Sequence, residues 1–229
     1  MPRQTISVII PAHPGRVRNG LLAQAIDSVH RQELLPDAVH IAYDLDREGA
    51  AATRQRALFS ARTDWVAFLD SDDMFLPKHL LWLLRHAQAT GADFVYSWFK
   101  VLLQRADGSG RVLEDDPVFP VSHYLNPFDP QNPIETTITT FVKTDLAKEV
   151  GFSAIPERVA AGHNSGEDRS FTLGCLAAGA KIEHLVRKSW LWRHWALPDG
   201  SQGNTSGLPG RGDSRIEEHP LSTSTKVGR

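Results

Sequence analysis

The run Trp65-Val66-Ala67-Phe68-Leu69, followed at once by Asp70-Ser71-Asp72-Asp73, constrains the fold of this chain more than any other feature. Five apolar residues without alternation describe a buried strand, as in parallel sheets covered by helices on both faces. Three carboxylates then arrive at its C-terminal end, the edge of an open α/β sheet where ligands bind. Carboxylates this close repel one another unless a cation or hydrogen-bond donors offset their charge. Oxygen ligands on a short turn suit Mg2+ or Mn2+, which take one or two carboxylates and leave the rest of their shell to substrate phosphates. The alternative is that Asp72 or Asp73 caps the helix expected from Pro77.

The neighbouring segments fit that sheet. Ile6–Ile10 is a strand, and Pro11 is expected to end it. Leu21, Leu22, Ala25, Ile26 and Val29 recur at helical spacing, which predicts a helix from about Gly20 to Arg31. A strand follows over Ala38–Tyr43 and a helix over Ala50–Ser60. After the Trp65–Leu69 strand come a helix over Pro77–Thr90, closed near Gly91, and a strand over Phe94–Phe99. Strictly alternating strands and helices predict a doubly wound, mostly parallel α/β sheet of Rossmann-like type with helices on both faces.

Further on, Val101–Leu113 is read as a hairpin turning at Asp107-Gly108, and Asp115–Pro133, with five prolines, as a loop. Thr136–Val142 is β-branched and strand-like, Thr144–Val150 a short helix ending at Gly151, Glu167–Ala178 a helix stopped by Gly179, and Lys181–Val186 a strand. From Pro198 to Arg229 the large aliphatics are only Leu208, Ile216, Leu221 and Val227. The expected organisation is therefore one domain over 1–197 and a flexible Gly/Ser/Pro-rich tail over 198–229. Arg211-Gly212-Asp213 in that tail is read as a chance tripeptide.

Composition narrows the class. A net charge of −2 over 229 residues argues against bulk nucleic-acid binding. The single cysteine, Cys175, cannot form an internal disulfide and fits a reducing compartment; among Leu173, Leu176 and Ala177 it reads as a core residue. No run has the length of a transmembrane helix or the pattern of a signal peptide, so a cytoplasmic location is expected.

Three loops fall at one sheet edge. The first strand leads into Pro11-Ala12-His13, the second into Asp44 and the helix bearing Arg54, the third into Asp70-Ser71-Asp72. Three such loops can line a nucleotide pocket, with Asp44 accepting from a base N–H and Arg54 meeting phosphate or base. The chain has no G-x-G-x-x-G or G-x-x-x-x-G-K-[ST], which weighs against the common dinucleotide and P-loop sites.

In their order and spacing these segments resemble family 2 glycosyltransferases of GT-A fold. Ile6–Ala12 is similar to that family's opening strand, and Ala25-Ile26-Asp27-Ser28-Val29 with Gln32 to its first helix. Gly49–Leu58 resembles its glycine-to-Arg-Asn helix start, with Gln55 where Asn is usual. Leu69–Asp73 resembles its D-x-D motif and Glu167-Asp168 its late Glu-Asp pair; the likeness covers about residues 4–195.

The resemblance implies a transfer of sugar from a nucleoside-diphosphate donor, of UDP type, to an acceptor hydroxyl with inversion. It assigns Asp44 to the base, Asp70 to the ribose with Ser71 beside it, and Asp72 to a Mn2+ or Mg2+ ion at the diphosphate. It makes Asp168 the general base, supported by Glu167. The two acids alternatively only complement a helix N-terminus. Some GT-A enzymes add a late histidine as metal ligand, a place His194 would take; alternatively it is a structural histidine among Trp190, Trp192 and Trp195. His163 reads as a loop histidine. The acceptor stays open among glycan, lipid-linked, protein and small-molecule hydroxyls. A retaining transferase, a nucleotidyltransferase of similar fold and a non-catalytic nucleotide-sugar-binding module remain as other readings.

Overall fold

The structure is a computed structural model describing residues 3–104, 109–114, 124–131, 139–153, 166–196 and 202–204. Strand β1 (Ile6–Ala12) leads through a short helix α1 (Pro14–Arg18) to α2 (Leu21–His30), β2 (Ala38–Tyr43), α3 (Ala50–Ser60) and β3 (Trp65–Phe68). Then come β4 (Met74–Phe75), α4 (His79–Thr90), β5 (Phe94–Gln104), β6 (Gly110–Leu113), β7 (Thr140–Lys143) and α5 (Thr144–Val150). Helix α6 (Glu167–Ala177), the long β8 (Ile182–Ala196) and β9 (Gln202–Asn204) complete the described elements.

One sheet has the order β2-β1-β3-β7-β5-β8-β4, with β6 on β5 and β9 on β8. Strands β1, β2 and β3 pair in parallel, as do β5 and β8. The expected mostly parallel sheet is interrupted after the third strand. Strand β7 inserts between β3 and β5 and runs antiparallel to both. The sheet is therefore mixed: β1, β2, β3, β5 and β8 run one way and the other strands the opposite way.

Alternate residues of β1 supply two cores. Val8 and Ile10 pack with Leu22, Ala25 and Val29 of α2 and with Leu80 and Leu83 of α4. Ile9 faces the other side, with Leu58 of α3, Ala147 of α5 and Phe171 and Cys175 of α6. Helices thus cover both faces, which is why Trp65–Phe68 needs no polar alternation: all four residues are buried. Phe68 lies edge-on to Phe152 and Phe171, and burying such a ring contributes roughly 1.5–3 kcal/mol. Helices α5 and α6 approach so closely that a Cβ on Gly174 would stand 2.5 Å from Val150 Cγ1. Burial pushes the Cys175 thiol up to about 12, as expected of a core residue.

Strand β1 does not stop at Pro11 but runs through it to Ala12, opposite Tyr43. The Ile9 carbonyl accepts from Leu69 N and the Ala12 carbonyl from Asp44 N. By that alternation the Pro11 nitrogen faces the β3 side, where the ladder has already ended at Ile9–Phe68, so its missing N–H removes no bond.

Helix α4 starts at His79 rather than Pro77 and has no side-chain cap, so neither Asp72 nor Asp73 caps it. The intervening residues form β4, antiparallel to β8 with Met74 opposite Leu191. Ser28 Oγ accepts from Phe75 N, Gln32 Nε2 donates to Leu76 O, and Leu80 N donates to Gln32 Oε1. The expected hairpin is β5–β6, with Val101 opposite Leu113; its tip at Asp107-Gly108 lies outside the described residues, as does most of Asp115–Pro133. Strand β8 is much longer than Lys181–Val186, and a register irregularity at Ser97–Phe99 carries it on beside β5. Past residue 197, β9 pairs with β8, so the sheet continues into the segment expected to be tail.

Candidate functional site

Because β1, β2 and β3 are parallel, the loops that follow them open at one edge. After β1, His13 precedes α1 and its Nδ1 accepts from Gly15 N at 3.1 Å, while Pro14 occupies the first turn. This turn presents Arg16, whose guanidinium lies 2.9 Å from Asp72 Oδ2. Pro11 and Ala12 are buried at the strand end beneath it.

After β2, Asp44 turns inward and is 7% exposed. Its two carboxylate oxygens accept from Glu48 N at 2.8 Å and Gly49 N at 3.1 Å, so Asp44 shapes the loop into α3. Tyr43 and Leu45 on either side of it are exposed.

After β3, the turn closes with Asp73 N donating to Asp70 O. Asp70 is partly exposed, whereas Ser71, Asp72 and Asp73 are buried. Ser71 Oγ has no hydrogen-bond partner among the described residues. Burial, with Asp72 and Asp70 close by, raises the Asp73 carboxyl well above the usual carboxylate range. Asp73 Oδ1 accepts from Arg193 N at 2.9 Å, and Arg193 Nε donates to Asp72 O at 2.6 Å. The Arg193 guanidinium continues to Gln24 Oε1 on α2. Burial lowers its pKa, with Asp73 and Asp72 opposing that effect.

Glu167 and Asp168 open α6, where the chain enters at Gly166 in the left-handed region (φ 66°). Arg54, 1% exposed, reaches them from α3. Its Nη2 donates to Asp70 Oδ1 at 2.9 Å and its Nη1 to Glu167 Oε1 at 3.3 Å. The Phe152 ring lies 5.3 Å from the guanidinium carbon. Burial alone would lower the Arg54 pKa, but Asp70, Asp168 and Glu167 outweigh it and hold it above the ordinary value. Asp168 is raised to about 7: burial and the charges of Glu167 and Asp70 push it up, and Arg54 pulls it down. A carboxylate so poised is basic enough to take a proton near neutral pH.

His194 sits on β8 opposite Leu103, buried, with its ring edge-on to Trp192 at 4.0 Å. Its neighbour Arg193 makes the contacts to the Asp72–Asp73 turn described above. His163 lies outside the described residues. Among the described residues no three or more His, Cys, Asp or Glu side chains group to hold a metal. The structure thus gathers Asp70, Asp72, Arg54, Glu167 and Asp168 around one turn, with Asp44 at the same edge. Sequence reasoning missed Arg16 and the role of Arg193, and took Asp73 only as one of three carboxylates or a helix cap; Arg193 is marked in the sequence only by standing next to His194.

Residues 35–142 match the family described as glycosyl transferase family 2. TuaG of Bacillus subtilis (strain 168), named as a teichuronic acid biosynthesis glycosyltransferase, is 30% identical over 78 residues, 34% of this chain and 31% of TuaG. Among solved structures, S. aureus TarS in complex with UDP-GlcNAc superposes with a TM-score of 0.60 at 19% identity, over 82% of this chain and 58% of that one. TarS in complex with UDP gives 0.58 at 15% identity, over 82% and 60%. The chain spans about a third of the curated relative's length and less than two thirds of these structures' chains. The matched segment carries the Asp44 loop, α3 and the D-x-D turn, and over it the chain is similar to glycosyl transferase family 2. Its fold, α/β with one mixed sheet, is similar to that of the GT-A glycosyltransferase TarS.

Proposed function

We propose that this chain transfers a sugar from a UDP-type nucleotide-sugar donor to an acceptor hydroxyl with inversion. The observation that carries this reading is the meeting of two carboxylate sets on one arginine: Asp70 from the D-x-D turn and Glu167 from the late pair, both on Arg54. Donor-side and acceptor-side chemistry then share one edge of the sheet. The match to glycosyl transferase family 2, and the UDP and UDP-GlcNAc in the complexes of TarS, support the donor class.

Asp44 and Asp70 orient the nucleoside at the ends of β2 and β3. Asp168 takes the proton of the acceptor hydroxyl as its oxygen bonds to the anomeric carbon. The bond from that carbon to the diphosphate oxygen breaks, and the electron pair leaves with the nucleoside diphosphate. Glu167, fixed by Arg54, keeps the first turn of α6 in place.

The residues fit a divalent cation. Asp72 already faces a positive charge, Arg16, and one carboxylate with diphosphate oxygens is the ligand set Mg2+ or Mn2+ commonly takes. Asp72 would hold it, with His194 as the candidate second protein ligand, and the ion would neutralise the charge growing on the leaving diphosphate.

UDP should raise the melting temperature clearly with Mn2+ and only weakly without it, since a ligand stabilises by RT ln(1 + [L]/Kd). Asp72→Asn should remove most of the Mn2+-dependent part. An unchanged shift in that variant would remove Asp72 from the metal assignment, and no shift with any nucleoside diphosphate would remove the donor class.

A further inference from the structure

We propose that Arg54 is a positioning residue that ties the first turn of α6, and with it Asp168, to the D-x-D carboxylate Asp70. The inference rests on the transferase reading above and deepens it. Arg54 was expected to meet donor phosphate or base. In the structure both terminal nitrogens of its guanidinium are engaged by protein carboxylates, 2.9 Å from Asp70 and 3.3 Å from Glu167. The Phe152 ring stands beside the group, and Phe152 N donates to Oε1 of the next residue, Gln55, at 2.7 Å. Adjacent residues of α3 thus fix both the ring and the charge.

Helix α6 starts at a glycine, with no side-chain cap, so Arg54 supplies the tether that the helix start lacks. An ion pair on a buried arginine adds little net stability over an apolar replacement, so its contribution here is geometry. Arginine suits that purpose because its planar fork can bridge two carboxylates, which a lysine ammonium on a flexible stem does poorly.

The charged groups facing Asp168 are Arg54 from α3, Asp70 from the end of β3 and Glu167 beside it on α6. The guanidinium is the positive member of that set, set against three carboxylates. It therefore governs how readily Asp168 gives up its own proton before taking one from an acceptor. Without it, Asp168 should bind its proton more tightly, and the base should act only at higher pH.

The test uses the full chain with Arg54→Gln, which removes the charge, and Arg54→Lys, which keeps the charge but not the fork. Carboxyl 13C resonances are titrated by NMR, with Asp168→Asn to assign the signal. The Asp168 midpoint should lie near 7 in the unmodified protein. It should rise by about one pH unit, tenfold in proton affinity, in Arg54→Gln, and stay within about half a unit in Arg54→Lys. In kinetics, Arg54→Lys should lower kcat about tenfold with the donor KM within about twofold. An unmoved midpoint in folded Arg54→Gln would overturn the proposal. So would a raised donor KM at unchanged kcat in Arg54→Lys, which would return Arg54 to donor binding. If Arg54→Gln does not fold, the kcat-against-KM split in Arg54→Lys decides. The NMR readout needs no turnover, so a protein without transferase activity would end the proposed function and leave this test standing.

Discussion

Two buried arginines flank the Asp70–Asp73 turn and engage it through different atoms. Arg193, on β8, holds one backbone and one side-chain oxygen of the turn: its Nε donates to the Asp72 carbonyl and its backbone N–H to Asp73 Oδ1. Arg54, on α3, takes side chains alone, Asp70 and Glu167. The first arrangement sets the shape of the turn and leaves the Asp72 carboxylate facing Arg16. The second sets the charge around the Asp168 carboxyl. One turn is thus built by one arginine and electrically tuned by another, so shape and chemistry should separate under mutation.

The largest effect should come on the Arg54 side. Asp168→Asn should lower transfer by about 10²-fold or more, because the amide cannot accept the hydroxyl proton, while donor affinity is kept. Transfer rates beside donor titrations check this; lost donor binding would make Asp168 a binding residue and blur the comparison. Next comes the Arg193 side. Arg193→Gln should cost about 2 kcal/mol in urea unfolding, since the Asp72 carbonyl loses a donor in a buried place. A change below about 0.5 kcal/mol would mean the turn stands without that clasp.

The smallest expected effect is a pH slope. Asp168 titrates near 7 in the folded chain and near 4 when unfolded. Between these values the native state holds the extra proton, so this group's contribution to stability falls as pH rises and levels off above about 7. Asp73, also raised, acts in the same direction. Melting temperatures of wild type and Asp168→Asn, compared from pH 4 to 8, should diverge, with the variant losing less stability as pH rises. Parallel curves would show that Asp168 is not held in a proton-retaining environment.

Where local pattern decided structure, the sequence was legible. Strand β2 and helix α3 fall on their expected bounds, since Ala38–Tyr43 and Ala50–Ser60 carry their own periodicity and their own stops. Short elements were not legible. Helix α1 is a single turn built around Pro14, and β4 is two residues with no periodicity to read; each exists because of neighbours, α1 beside Asp72 and β4 against β8. Thr136–Val142 looked like a strand; its residues 136–138 lie outside the described residues and Thr140–Val142 falls in β7, but nothing local says that β7 inserts antiparallel between β3 and β5. The same holds for Gln55. It stood out as a departure from the family pattern, and only the structure gave it a partner, Phe152 N.

The sequence by itself determined that carboxylates stand at the end of a buried strand. A five-residue apolar run broken by Asp70 is a local fact, and backbone geometry turns it into a strand and an edge. It likewise determined that Glu167 and Asp168 open a helix. Tertiary structure alone decided which cation each carboxylate meets. Arg54 finds Glu167 across 113 residues of chain, and Arg193 finds Asp73 across 120. A guanidinium has the same helix or strand propensity wherever its partner lies. Its burial is tolerable only once the sheet has brought opposite charge to it, and that is settled by the packing of the whole fold.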